Sequence, residues 1–175
     1  MSEQTQKRPR RAKLLLWIVL LQILFLGGIA GSYYAVDWFG EEIKLKTVPV
    51  DPRDLLYGDY VVLSYEISQL SPALWKGGGE LPKQGSPVFV LLKPENGLYV
   101  ASGIYSEKPT VEAGQTILKG RITSSWREGI HVEYGLEQYY VPEGTGKELE
   151  EKARNMIVAV KIASWGQAKI VGLEY

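Results

Sequence analysis

Residues 14–36 carry no charged side chain, and Gln22 is their only amide. At 1.5 Å per residue, about 20 such residues cross the hydrocarbon core of a bilayer. Trp17 lies near one end, and Tyr33, Tyr34 and Trp38 lie near the other, the arrangement of two interfacial aromatic belts. Lys7, Arg8, Arg10, Arg11 and Lys13 precede the run. The positive-inside rule therefore keeps the N-terminus in the cytoplasm and sends the chain after Asp37 outside. A cleavable signal peptide is the alternative, with small residues at Gly28-Ile29-Ala30. The apolar run is longer than a usual signal core, which favours an uncleaved anchor. The expected organisation is a cytoplasmic basic arm (1–13), a transmembrane helix (14–36) and an extracytoplasmic domain (37–175).

The formal net charge of zero conceals a division. Setting aside the arm's five cations and Glu3 leaves 15 basic and 19 acidic side chains for the rest of the chain. That acidic excess argues against nucleic acid as a partner. The arm reads as a topology and lipid-headgroup signal. There is no cysteine, which removes disulfides, thiolate metal sites and a cysteine nucleophile. Tyrosine outnumbers phenylalanine and tryptophan together (11 against 3 and 5), and 19 Gly and 9 Pro supply turns. This composition leans toward a β domain.

Residues 42–50 alternate Ile43, Leu45 and Thr47 with Glu42, Lys44 and Lys46, a half-buried first strand. Residues 60–67 are β-branched and aromatic, with Val61, Leu63 and Tyr65 on one face. Both faces are largely apolar, so a central strand covered on both sides is expected. Residues 68–86 hold Ser71-Pro72, Trp75 and Lys76-Gly-Gly-Gly79, the signature of a long mobile loop. Trp75 either tucks onto a sheet or stays available to a partner. Residues 87–93 and 98–105 flank Asn96-Gly97, a hairpin signal. Residues 115–127 and 130–134 flank Glu128-Gly129, another. Thr145 and Glu148 form a capping box for a short helix over 146–155. Residues 156–163 and 168–174 alternate again. Seven or eight strands without a βαβ rhythm predict a mainly β chain: one N-terminal transmembrane helix, then an antiparallel barrel or sandwich-like domain with one short helix.

The densest cluster of polar residues is Asp51-Pro-Arg-Asp-Leu-Leu-Tyr-Gly-Asp-Tyr-Val-Val-Leu-Ser-Tyr65. Within it Gly58, Asp59, Tyr60, Leu63 and Tyr65 spell Gly-Asp-Tyr-x-x-Leu-x-Tyr. This resembles the signature of the GDYxxLxY family, small membrane-anchored bacterial proteins of unknown biochemical function. A second stretch, Tyr134-Gly-Leu-Glu-Gln-Tyr-Tyr-Val-Pro-Glu-Gly144, is similar to that family's other recurrent segment. The resemblance runs from about residue 48 to the C-terminus. It implies an association with a polytopic membrane protein and supplies no reaction.

Asp51, Arg53, Asp54 and Asp59 could bind Ca²⁺, or supply a base with Arg53 orienting an anion. The structural reading has Asp51 and Asp59 closing Asx turns while Arg53 pairs with Asp54 or Asp59. Their spacing does not fit an EF-hand. Tyr60 and Tyr65 read as core aromatics with a satisfied hydroxyl. Glu137 and Glu143 could form a glycosidase-like acid/base pair. Alternatively Tyr134, Glu137, Tyr139, Pro142 and Glu143 shape a structural segment leading into the capped helix. His131 is the only histidine, too few for a multi-His zinc site. The enzymatic alternative is an envelope hydrolase, either carboxylate-based or using a serine–lysine pair. Ser64 or Ser102 would be its nucleophile and Lys93, Lys119 or Lys161 its base. The preferred reading is a non-enzymatic module without a cofactor or metal. It is held in the lipid bilayer by one helix and binds a polytopic membrane protein through surfaces shaped by the two motif segments.

Overall fold

The computed structural model describes residues 10–49, 60–126, 128–140 and 156–174. Helix α1 (Arg10–Phe39) contains the apolar run. Its side chains are exposed from residue 12 to residue 34, and it is long and apolar enough to cross a membrane. Among the described residues after it, the regular elements are two 3₁₀ turns and a series of strands. The strands are β1 (Glu41–Val48), β2 (Tyr60–Val62), β3 (Ser64–Tyr65), β4 (Gln69–Leu70), β5 (Pro87–Glu95), β6 (Leu98–Tyr105), β7 (Thr116–Trp126), β8 (Gly129–Glu133), β9 (Gln138–Tyr140), β10 (Ile157–Ile162) and β11 (Ala168–Glu174). The expected helix over 146–155 lies outside the described residues.

The strands form two main sheets, ordered β11-β10-β1-β3 and β4-β8-β7-β5-β6, with β2 and β9 as a separate ribbon. Among the described residues, every ladder between these strands is antiparallel. One core joins the sheets into a curled half-barrel. It contains Ile43 and Leu45 of β1, Val158, Val160 and Ile162 of β10, Val88, Val90 and Leu92 of β5, and Leu118 and Ile122 of β7. Each fully buried aliphatic side chain contributes about 1.5–3 kcal/mol of transfer free energy.

Local chemistry explains the firmest elements. In β1, Ile43, Leu45 and Thr47 point inward, as the alternation predicts. Thr47 is buried because its hydroxyl donates to the Met156 carbonyl (2.8 Å) and accepts from the Met156 amide (2.9 Å). The hairpin from β5 to β6 turns through Asn96 (φ 53°) and Gly97 (φ 82°), the left-handed pair that a two-residue hairpin requires. A bulge opposite Leu91 leaves Ser102 between the paired Gly103 and Ala101. The Ser102 hydroxyl closes that gap by donating to the Leu91 carbonyl (3.1 Å).

Two expectations are corrected. Residues 60–67 are not one central strand. The chain leaves the ribbon after Val62, joins β1 at Ser64 and Tyr65, and enters a 3₁₀ turn at Glu66–Ser68. The apolar pattern could not reveal this switch, because Leu63 is buried on either route. Its amide donates to the Glu137 carbonyl (2.8 Å) instead of to a strand partner. Residues 68–86 are not a featureless loop either. They hold β4, a 3₁₀ turn at Pro72–Leu74 capped by Ser71, and Trp75, which bridges to Ile104 and packs on the core.

The helix runs into the sheet with Gly40 as the only intervening residue. The Gly40 amide donates to the Val36 carbonyl (2.9 Å), and Val36 is fully buried. The Lys161 ammonium donates to the Asp37 carbonyl (3.0 Å), filling one of the acceptors that a helix end leaves open. Lys169 reaches the Asp37 carboxylate (2.8 Å) and lies 5.0 Å from the centre of the Tyr33 ring.

Candidate functional site

The two motif segments meet. Val61, Leu63 and Tyr65 turn their side chains into the core, as their period of two dictates. The second segment turns at Gly135 (φ 77°) and returns as β9 alongside β2. The ribbon pairs Tyr60 with Tyr140, Val61 with Tyr139 and Val62 with Gln138.

A reciprocal set of hydrogen bonds then locks the segments. The Tyr65 hydroxyl donates to the Leu136 carbonyl (2.8 Å), and the Tyr134 hydroxyl donates to the Ile67 carbonyl (2.5 Å). The Tyr134 amide donates to a Glu137 carboxylate oxygen (2.6 Å), which holds the tight turn between them. The Tyr65 amide donates to the Ser68 hydroxyl (3.3 Å), so the 3₁₀ turn starts at the same residue. Each segment thus lends a phenol to the other's backbone, across 71 residues in one direction and 67 in the other.

Electrostatics fixes what these phenols can do. Burial pushes the Tyr65 hydroxyl far above the ordinary tyrosine range, and the negative charge of Glu137 adds to the effect. The same two causes, burial first, raise Tyr134. Both phenols remain protonated donors, unsuited to act as a base or nucleophile. The Glu137 carboxylate accepts from a main-chain amide.

The remaining sequence candidates divide. Asp51, Arg53, Asp54, Gly58, Asp59, Pro142 and Glu143 lie outside the described residues, and of Tyr60 only the backbone pairing is described. Leu63, Tyr65, Tyr134, Glu137 and Tyr139 come together, with Tyr139 packed against the core. His131 is exposed on β8. The Ser102 hydroxyl and the Lys161 ammonium donate to main-chain carbonyls, and Lys93 lies 3.6 Å from Glu95. Among the described residues, no group of three His, Asp or Glu side chains is placed to hold a metal ion. Sequence reasoning missed the contacts of Asp37 with Lys161 and Lys169. The one available signal was an acid standing immediately after the uncharged run.

A family model described as GDYXXLXY protein matches residues 22–173. The match begins inside α1 and takes in all of β1, well upstream of the expected start near residue 48. Comparison with curated proteins and with solved structures returns no match.

Proposed function

Because the chain belongs to the GDYXXLXY family, we propose that it is a single-pass membrane protein whose β domain serves as a binding or accessory module for a polytopic membrane protein. The arm of residues 1–13 stays in the cytoplasm and the β domain lies on the extracytoplasmic side, as the basic residues before the span dictate.

One observation carries the reading: the described motif residues are spent on architecture. The Tyr65 and Tyr134 hydroxyls donate to main-chain carbonyls, and one oxygen of the Glu137 carboxylate accepts from the Tyr134 amide, so each of the three holds backbone in place. Among the described residues of the locked segments, Val62 and Tyr140 of the β2–β9 ribbon are exposed, 47% and 73% respectively. An apolar and aromatic ribbon of this kind suits a protein surface better than a small polar substrate. Uncovered apolar side chains along α1 suit a lipid environment, and a partner that also lives in the membrane is reached without crossing water.

The test has two parts. In sealed inside-in membrane preparations, externally added protease should remove the β domain and leave α1 with its arm. Protection of the domain would reverse the proposed orientation. Photo-crosslinking from Val62 in native membranes should then recover one polytopic membrane protein. Stoichiometric labelling of Ser64 or Ser102 by a serine-directed phosphonate would instead establish the hydrolase and overturn the module.

A further inference from the structure

The end of α1 is held against the sheet at two levels, and this fixes where the neighbouring turn lies. Lys161 and Lys169 form a cross-strand pair, one register step from the turn that joins the end of β10 at Ile162 to the start of β11 at Ala168. Lys161 reaches the Asp37 carbonyl, while Lys169 reaches both Asp37 and the Tyr33 ring, one helical turn nearer the span. The hydrogen bond that the Lys169 ammonium donates to the Asp37 carboxylate raises its pKa. β1 runs away from the helix, and antiparallel β10 runs back toward it. The turn that follows Ile162 therefore projects beyond the start of β1, alongside the last turns of α1.

That turn is tightly built. Ala163 and Gln167 close it (amide to carbonyl, 2.8 Å), and the Gly166 carbonyl accepts from the Lys119 amide of β7 (3.0 Å). Lys108 ties the loop after β6 to it by donating to the Ser164 carbonyl (2.7 Å). At its tip Trp165 is 42% exposed, and its indole N–H is satisfied within the turn by Gln167 (3.0 Å). A rigid turn thus displays an indole whose polar atom is already satisfied.

If the hydrocarbon core begins near Leu14, about 20 residues of helix bring its far boundary to Tyr33. Lys169 touches that residue, so the end of the β10–β11 hairpin stands at headgroup depth.

We propose that the β10–β11 turn is a second membrane contact, with Trp165 seated among the phospholipid headgroups beside α1. The occupant is the bilayer surface, because the turn is continuous with the helix that enters it. An amphipathic indole is the side chain that favours this zone. Two fixed points on one bilayer, the helix and the turn, prevent the β domain from swinging about Gly40. The orientation of the β2–β9 ribbon relative to the membrane is then constant. The inference rests on α1 spanning the membrane.

The chain contains no cysteine, so single spin labels can be placed without background. The full-length Ser164→Cys and Glu128→Cys variants are labelled and reconstituted into vesicles of phosphatidylcholine and phosphatidylglycerol, with no other protein present. Glu128 precedes Gly129, which pairs with Trp126 at the far end of β7. Seven strand steps separate Trp126 from Lys119, roughly 23 Å at 3.3 Å each. The ratio of collisions with oxygen to collisions with a nickel chelate should be several-fold higher at 164 than at 128. Adding Trp165→Ala to Ser164→Cys should return the ratio toward the value at 128. Equal ratios at the two sites, or a ratio at 164 that Trp165→Ala leaves unmoved, overturn the turn contact. Failure of the chain to float with the vesicles overturns the spanning helix itself, a result distinct from a floating chain whose label at 164 is aqueous.

Discussion

Tyr65→Phe isolates one atom of the lock between the motif segments. The ring stays in place, fully buried, and only the hydroxyl that donates to the Leu136 carbonyl at 2.8 Å is lost. Leu136 is itself buried, so water does not readily replace the missing donor. A buried acceptor left without a partner costs about 1–3 kcal/mol. With a urea dependence of about 1–3 kcal/mol per molar, a loss near 2 kcal/mol lowers the unfolding midpoint by about 1 M. The measurement is urea unfolding of the full chain in detergent, followed by tryptophan fluorescence. A midpoint unchanged from wild type would refute the claim that the signature tyrosine acts as scaffold.

The same variant has a signature in alkali. The folded protein holds the Tyr65 and Tyr134 phenols above their ordinary range, chiefly by burial. An unfolded chain releases these protons near pH ~10. The stabilisation is therefore complete below that pH and is lost as pH rises beyond it, while the folded state alone retains the protons. Each phenol contributes a slope of about −1.4 kcal/mol per pH unit there. Tyr65→Phe should remove about half of the slope due to this pair, and Tyr134→Phe a similar part. A double variant should depart from additivity, since both bonds join the same two segments.

Other substitutions test the frame that holds the lock. Thr47→Val keeps the shape of the side chain but takes the acceptor from the Met156 amide, while the Met156 carbonyl keeps its bond from the Thr47 amide (2.9 Å). It should cost about 1–3 kcal/mol in the same urea assay. Gly97→Val forces a β-branched residue to φ 82°, and should destabilise the hairpin by at least about 1 kcal/mol, read as a lower thermal midpoint. Gly120→Ala drives a methyl group into the Val132 side chain, 3.0 Å from the Glu133 carbonyl. It should cost about 1–3 kcal/mol and speed amide exchange in β7 and β8.

Much of the fold was legible because it rests on local rules. The alternation of Ile43, Leu45 and Thr47 needs only a pleated backbone with one wet face, and β1 adopts it. Asn96-Gly97 can take two successive positive φ angles, so the hairpin follows from two residues. The shorter pieces were not legible. β2, β3, β4 and β9 have two or three residues each, too few to show a period of two. That is why eleven strands stand among the described residues where the pattern predicts seven or eight.

For the site, the identity of the important stretches was readable and their relation was not. Gly58-Asp59-Tyr60, Leu63 and Tyr65, with Tyr134 and Glu137, announce themselves as unusual sequences. Nothing in either stretch says that each donates a phenol to the other, because the partners are main-chain carbonyls, which every residue possesses.

By itself the sequence determined a helix with no polar face, a β domain after it, and the strands whose alternation or turn chemistry is complete within a few residues. Hydrophobic periodicity and backbone sterics act at that range. Tertiary structure alone decided that the chain changes sheets at Leu63, that the motif segments lock each other, and that Asp37 meets Lys161 and Lys169 across 124 and 132 residues. These contacts join groups that are common along the chain, and only folding determines which of the many possible pairs come within hydrogen-bonding distance.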